Sequence, residues 1–398
     1  MPLGNVYRPE SEAEASEIIA EAAVRGTTLS IEGGGTKAAA GRPMNTDAVL
    51  SASAIDGIVL YEPNELVVRA CAGTPVDAVV ALLSRHGQEL PFEPADLRGV
   101  FASQGTPTLG ALAAMNLSGP RRIASGAARD YLLGVRFING RGEIIKSGGR
   151  VMKNVTGLDL VKLMAGAWGT LGLLTEVTFK VLPIARCSAT LTFSGMTDVA
   201  AIATLTDGMG SGYQASGAAH LPARSAGESA RTLLRLEGSE ASVAIRSEKL
   251  RRYLAAHGSS ELLEDAASRA LWRDIRDVAA ILDLSNKALW KISVAPDRGA
   301  AVSEVISRQV DARWFYDWSG GLIWLAVDSS GDAGAAAVRS ALRSAGGHAT
   351  LVRASEELRR SLSVFEPISP ALRTLTLKLK HAFDPAGIFN PERMYEGI

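Results

Sequence analysis

The sequence predicts an α+β protein whose first half is α/β and whose second half is built on one antiparallel sheet. Three observations predict this. Short apolar runs alternate with helical stretches over residues 1–90. Fourteen glycines fall between Gly99 and Gly172, a density that helix and strand interiors do not favour. Residues 289–352 then read strand, helix, strand, strand, helix, strand.

The first helix is set by its ends. Ser11 and Glu14 form a capping box, S-x-x-E, and Gly26 sits where a C′ glycine belongs. Between them Ala15, Ile18, Ile19, Ala22 and Ala23 recur on one helical face, so residues 11–25 are predicted helical. A strand over 28–31 runs into Glu32-Gly33-Gly34-Gly35-Thr36-Lys37. Three glycines in a row remove every Cβ, and successive N–H groups in such a turn form an anion site. The loop fits neither G-x-G-x-x-G nor G-x-x-x-x-G-K-[ST]. Short strands are expected at 49–50, 58–60 and 66–70. Thr74-Pro75 opens a second helix that runs to about Arg85 and stops at Gly87.

The glycines after Gly99 fall in clusters. The first runs from Gly105 to Gly110 and on through Asn116 to Gly119; the second is Ser125-Gly126. The third is Gly148-Gly149, followed by Thr156-Gly157, and the fourth is Gly166 with 168–172. Strands are expected between them at 132–138, 143–146 and 173–181. Several close backbone approaches in one segment suit a long ligand laid across loops and strand ends; a glycine-rich sheet corner is the alternative. Pro183 ends the last strand, which places a boundary near residue 184. In the second half, strands are expected at 289–294, 313–317, 322–327 and 348–352, and helices at 299–309 and 333–345. That is the split unit of ferredoxin-like folds, and 187–264 reads as a fainter version of it.

Bulk properties narrow the class. At 398 residues the chain is long enough for about two or three domains. Lys plus Arg equals Asp plus Glu, at 42 each, which gives no sign of a nucleic-acid partner. No apolar run approaches the roughly 18 residues of a membrane span, and the N-terminus lacks a secretory pattern. Cys71 and Cys187 are too few for an iron–sulfur cluster and suit a reduced, cytoplasmic setting. The histidines at 86, 220, 257, 348 and 381 show no metal-ligand spacing.

Gly33-Gly34-Gly35-Thr36, the stretch Thr108-Leu109-Gly110-Ala111 through Asn116 to Gly119, and Gly169-Thr170-Leu171-Gly172-Leu173-Leu174-Thr175-Glu176 carry a resemblance. Together they resemble the FAD-binding domain of the vanillyl-alcohol oxidase superfamily, the PCMH-type fold. In that family a G-G-G-T loop cradles the pyrophosphate, T-x-G-G-x-x-A-x-N-x-x-G follows the flavin, and G-T-L-G-x-x-T-E closes the site. The tail from Phe383 to Pro391, F-D-P-A-G-I-F-N-P, is similar to the family's tail, which returns to the flavin domain. Gly119-Pro120-Arg121-Arg122, the stretch 149–157 and the chain length look most like the smaller FAD subunit of bacterial glycolate oxidases.

The resemblance implies a PCMH-type domain of two α/β subdomains over 1–183, a ferredoxin-like cap over 184–380 and a returning tail over 381–398. It implies FAD, with Gly33, Gly34, Gly35, Thr36 and Lys37 at the pyrophosphate. Gly105, Thr108, Leu109, Gly110, Asn116 and Gly119 are expected beside the flavin phosphate and ring. Ser125, Gly126, Gly169, Thr170, Gly172 and Leu173 are expected at the adenine half or ring edge, and Asn390 in the tail completes the set. No histidine stands in the glycine loop, so the FAD is expected to be noncovalent. Ala111 departs from the family's second glycine, which loosens the expected backbone contact there.

The implied function is oxidation of glycolate or D-lactate to the 2-oxo acid, with a larger flavin subunit and an iron–sulfur subunit as partners. Association with a membrane is expected only peripherally, through those partners. No H-x-G-D-G-N metal motif and no base for the substrate hydroxyl are assignable, so substrate chemistry is expected mainly in the partner. Two alternatives stand: a self-sufficient FAD-dependent hydroxy-acid or alcohol dehydrogenase, and an assembly subunit with a vestigial flavin site. The aromatic run Trp314, Phe315, Tyr316, Trp318 and Trp324 is read as sheet core, with a flavin lining as the alternative.

Overall fold

A computed structural model describes residues 5–150, 158–225 and 227–398. The stretch 151–157, part of the expected third glycine cluster, lies outside the described residues.

The N-terminal unit forms around the capped helix. Ser11 Oγ accepts the Glu14 N–H at 3.1 Å and Gly26 closes the helix at φ 67°, which fixes Glu12–Arg25. Its Ala15, Ile19 and Ala22 are buried against Leu29 and Leu50 of a three-stranded parallel sheet. The strands are Asn5–Tyr7, Ala48–Ser51 and Leu29–Glu32, in that order. Ile388 and Phe389 from the C-terminal tail complete this core, and Phe389 bridges Leu29 in parallel register.

The second unit is a five-stranded antiparallel sheet of Ile58–Glu62, Val67–Cys71, Leu173–Lys180, Leu132–Ile138 and Ile144–Gly148, in that order. Helices Val76–Arg85 and Leu109–Met115 pack on it, burying Val79, Leu83, Leu109 and Leu112 against Val68, Phe137 and Phe179. Strand Leu173–Lys180 is central and buried at all but Glu176 and Lys180, whereas the edge strand Ile144–Gly148 carries polar and exposed positions.

The second half is one eight-stranded antiparallel sheet. Its order is Ser260–Glu264, Cys187–Ser194, Arg231–Gly238, Gly217–Leu221, Ala312–Asp317, Leu322–Val327, Ala288–Ser293 and His348–Arg353. Read within each half, that is the order fourth, first, third, second, then its mirror. Two ferredoxin-like units therefore meet edge to edge through their second strands, where His220 faces Tyr316. Helices Asp198–Gly210, Glu240–Tyr253, Gly299–Ser307 and Ala335–Ala345 cover one face, with Trp290, Ile292 and Leu325 in the shared core. The other face, carrying Leu289, Phe315, Trp318 and Trp324, packs on helix Asp265–Arg276 and on Leu97, Val100 and Ile123 from the first half.

The chain leaves this sheet at Arg353 and turns back before residue 381. Arg359 donates to Gly41 O at 2.8 Å, and helix Pro370–Phe383 delivers Lys380, which donates to Thr170 O at 2.9 Å. Among the described residues no helix is long and apolar enough to cross a membrane.

Candidate functional site

The glycine loop, the start of helix Leu109–Met115 and the start of strand Leu173–Lys180 converge on a cleft that opens to solvent. Gly34 and Gly105 make the convergence possible. Gly34 bridges Thr106 in antiparallel register, and a Cβ on Gly34 would stand 1.9 Å from Thr106 O. A Cβ on Gly105 would stand 1.9 Å from Gly34 O, so two backbones cross here with no room for side chains. Gly35 serves differently. Its φ is +74° and its Cβ position has only Glu32 Oε2 near, at 3.8 Å, so this residue turns the loop and leaves the cleft open.

Two buried polar atoms on the cleft wall lack hydrogen-bond partners, and two cations there lack a carboxylate. Thr108 Oγ1 is buried with no hydrogen-bond partner, although Thr108 occupies the N-cap position of its helix. Arg393 Nε is buried and unpartnered, while its Nη2 donates to Lys37 O at 2.9 Å. Lys37 Nζ donates to Thr36 Oγ1 at 3.0 Å. Among the described residues neither Lys37 nor Arg393 has a carboxylate within 4.0 Å. Burial pulls the Lys37 ammonium down to about 8, with Asp96 opposing and Arg98 adding. Burial likewise pulls Arg393 down to about 10, with Glu32 opposing and Arg359 adding. Two buried cations and an orphaned hydroxyl beside a glycine loop suit an anion with several oxygens, which a pyrophosphate supplies.

The expected residues divide. Gly33, Gly34, Gly35, Thr36 and Lys37 line the cleft on one side. Thr108, Gly110, Gly169, Gly172 and Leu173 line it on the others. Gly105 stands behind Gly34, and Leu109 is fully buried in the core of the five-stranded unit. Thr170 Oγ1 donates to Ala167 O at 2.7 Å, closing its own turn. Asn390 supports the wall: its Oδ1 accepts the Ile31 N–H at 2.7 Å and its Nδ2 donates to Trp168 O at 2.7 Å.

Four others lie away from the cleft. Asn116 ends its helix at φ 51°, with Oδ1 accepting the Arg129 N–H at 2.8 Å. Gly119 meets the cap, its carbonyl accepting Trp318 Nε1 at 3.1 Å. Ser125 O accepts the Tyr131 hydroxyl at 2.7 Å, and Gly126 turns the chain at φ 94° beside Asp130.

Arg393 was outside the sequence expectation. It lies three residues beyond Asn390 in a tail with no periodic pattern, and its place depends on the tail's return to Leu29. Ala111 also lines the cleft, so the departure from glycine puts a methyl group on its wall. None of the aromatic run lines it. Phe315 and Tyr316 are core, and Trp314 Nε1 donates to Asp198 Oδ2 at 2.8 Å. Among the described residues no group of three or more His, Cys, Asp or Glu is placed to hold a metal ion.

Comparison with known proteins agrees with this geometry. Residues 4–148 match a family model described as an FAD binding domain. The chain is 34% identical over 369 residues to the glycolate oxidase subunit GlcE of Escherichia coli (strain K12), covering 93% of each chain. The chain belongs to the GlcE family. Its cofactor is FAD, and the family is one of FAD-dependent oxidoreductases. A D-lactate dehydrogenase of Archaeoglobus fulgidus is 29% identical over 182 residues, covering 46% of this chain and 39% of that protein. The 4-ethylphenol oxidase from Gulosibacter chungangensis superposes with a TM-score of 0.74 at 15% identity, covering 98% of this chain and 88% of that one. That likeness shows the fold, a PCMH-type FAD domain with an antiparallel cap.

Proposed function

We propose that this chain is the FAD-holding redox subunit of a glycolate oxidase-type complex, oxidising glycolate or D-lactate to the 2-oxo acid. Its likeness to GlcE along almost the whole chain supports the reading, and the observation that carries it is the cleft with its unpartnered Thr108 hydroxyl and its Lys37 and Arg393 cations without a carboxylate. FAD, when bound, supplies the acceptor for the two electrons leaving the alcohol carbon. The chain's own residues bind and orient it. N–H groups of residues 33–37 and the Thr36 and Thr108 hydroxyls would hold its pyrophosphate, and Lys37 and Arg393 would balance the charge. Among the described residues those lining the cleft include no histidine, cysteine or tyrosine, which supports noncovalent binding. The flavin domain and cap divide near residue 184, with a larger flavin subunit and an iron–sulfur subunit as partners and any membrane association made through them.

The test is expression of the full chain alone and together with its native partner subunits. The expected result is FAD in both preparations and glycolate-dependent dye reduction only with the partners. Robust turnover by the lone chain would favour a self-sufficient dehydrogenase.

A further inference from the structure

The cap presents a second cationic site. Strand Ala288–Ser293 alternates, with Trp290 and Ile292 in the helix-side core and Leu289 on the opposite face. Lys291 shares that opposite face by the two-residue period of a strand. It stands across from Trp324 on one neighbour and Thr350 on the other. Its Nζ lies 5.4 Å from the Trp318 ring centre and 5.8 Å from that of Trp324. The Arg122 guanidinium, from the first half of the chain, lies over the same Trp318 ring at 4.7 Å. His348, two residues before Thr350 on the adjoining strand, shares the face and is exposed.

Among the described residues the Lys291 and Arg122 cations make no ion pair; Asp317 acts on Lys291, and Asp130 on Arg122, only from beyond 4.0 Å. Among the described residues no carboxylate lies within 4.0 Å of Lys291, Arg122 or His348. Asp317 is on the same face, but it is buried and accepts the Trp318 N–H at 2.7 Å. Burial pushes its carboxyl up to about 7. Burial, then the Arg122 charge, pulls the Lys291 ammonium down to about 8. Burial, then Lys291, lowers His348 as well, with Glu366 opposing. The preceding residue shows the contrast. Arg121 has Glu89, Glu93 and Glu237 around it, at 2.5, 3.5 and 2.8 Å. Arg121 is thus supplied with carboxylates, whereas unpaired half-buried cations that face one another cost stability until an anion joins them.

We propose that Lys291 and Arg122, walled by Trp318 and Trp324 with His348 at the opening, bind the carboxylate of a small organic acid. The guanidinium supplies a paired donor edge, the ammonium a point charge, and the indole rings an apolar floor for the carbon skeleton. The choice of acid rests on the 2-hydroxy-acid reading above.

The test uses the full-length, FAD-loaded chain and its Lys291→Met and Arg122→Gln variants. Glycolate, D-lactate and inorganic phosphate are titrated calorimetrically, and thermal unfolding is recorded without added anion. The expected result is binding of glycolate or D-lactate that weakens by about tenfold or more in each variant. Unliganded Lys291→Met should melt at or above the wild-type temperature, because an unpaired cation has been removed. Wild-type affinity in Lys291→Met, or a markedly lower melting temperature for it without ligand, overturns the proposal. So does phosphate binding as tightly as the carboxylates. If wild-type protein binds no carboxylate, this site fails while flavin content and turnover with partners still support the proposed function.

Discussion

Lys37 carries a charge into a wall where only 8% of it is exposed, with a single hydroxyl as its hydrogen-bond partner. Its amine titrates near 8 in the folded chain and near 10.5 when unfolded. Between those values the unfolded chain holds a proton that the folded one has lost, so the unliganded protein gains stability as pH rises through this window. A bound pyrophosphate favours the charged amine, so FAD affinity should fall as pH climbs above about 8. FAD titrations at about pH 7 and about pH 9.5 should show that fall in the wild type and a much flatter response in Lys37→Met. That variant should also bind roughly tenfold or more weakly at neutral pH. A wild-type affinity indifferent to pH would remove Lys37 from the pyrophosphate. The sequence made Lys37 visible because it follows three glycines. Arg393 and the unpaired Thr108 hydroxyl were not visible as a pair, since nothing local tells where a tail residue lands.

The glycine loop is an element whose meaning changed with the structure. Its glycines read as places where a ligand approaches the backbone, yet the nearest neighbour of Gly34 is the carbonyl of Thr106. A bulky residue at Gly34 would break a backbone crossing and so report on folding as much as on flavin. The tail is the other element that shapes the cleft. Asn390 holds both Ile31 and Trp168, so Asn390→Ala should cost about 2 kcal/mol, read by denaturant unfolding, and loosen FAD retention. Unchanged stability would show that the tail does not brace this wall. Strands of the cap were legible to within a residue or two at 289–352 because alternation and turn glycines agree there. Helix Pro370–Phe383 was not, because Leu372, Leu375 and Leu377 remain exposed and no single buried face sets a period.

Across the whole molecule the two halves are joined by buried charge. Arg235, on the cap sheet, donates to Glu93 at 2.7 and 2.9 Å, and Arg121 from the first half donates to Glu237 of the cap at 2.8 Å. Burial opposes ionisation of Glu93, but the Arg235 guanidinium, with Arg121 behind it, holds the carboxyl down to about 2. The stability it contributes is therefore complete above about pH 4.5 and lost as pH falls toward 2. Glu93→Gln leaves Arg235 buried with less charge around it and should destabilise by about 3–5 kcal/mol. Its melting temperature should also depend less on pH below about 4.5 than that of the wild type. Equal acid sensitivity in both would contradict the role of this pair. No sequence pattern joins Glu93 to Arg235, 142 residues apart, so the docking of cap on flavin domain was legible only as a family likeness. The proposed function depends on the cleft holding FAD without a covalent bond. Quantifying flavin released by acid from the purified full-length chain tests this most directly. The prediction is about one FAD per chain, all of it in the supernatant. A colourless protein that takes up no added FAD, or flavin that precipitates with the polypeptide, would contradict it.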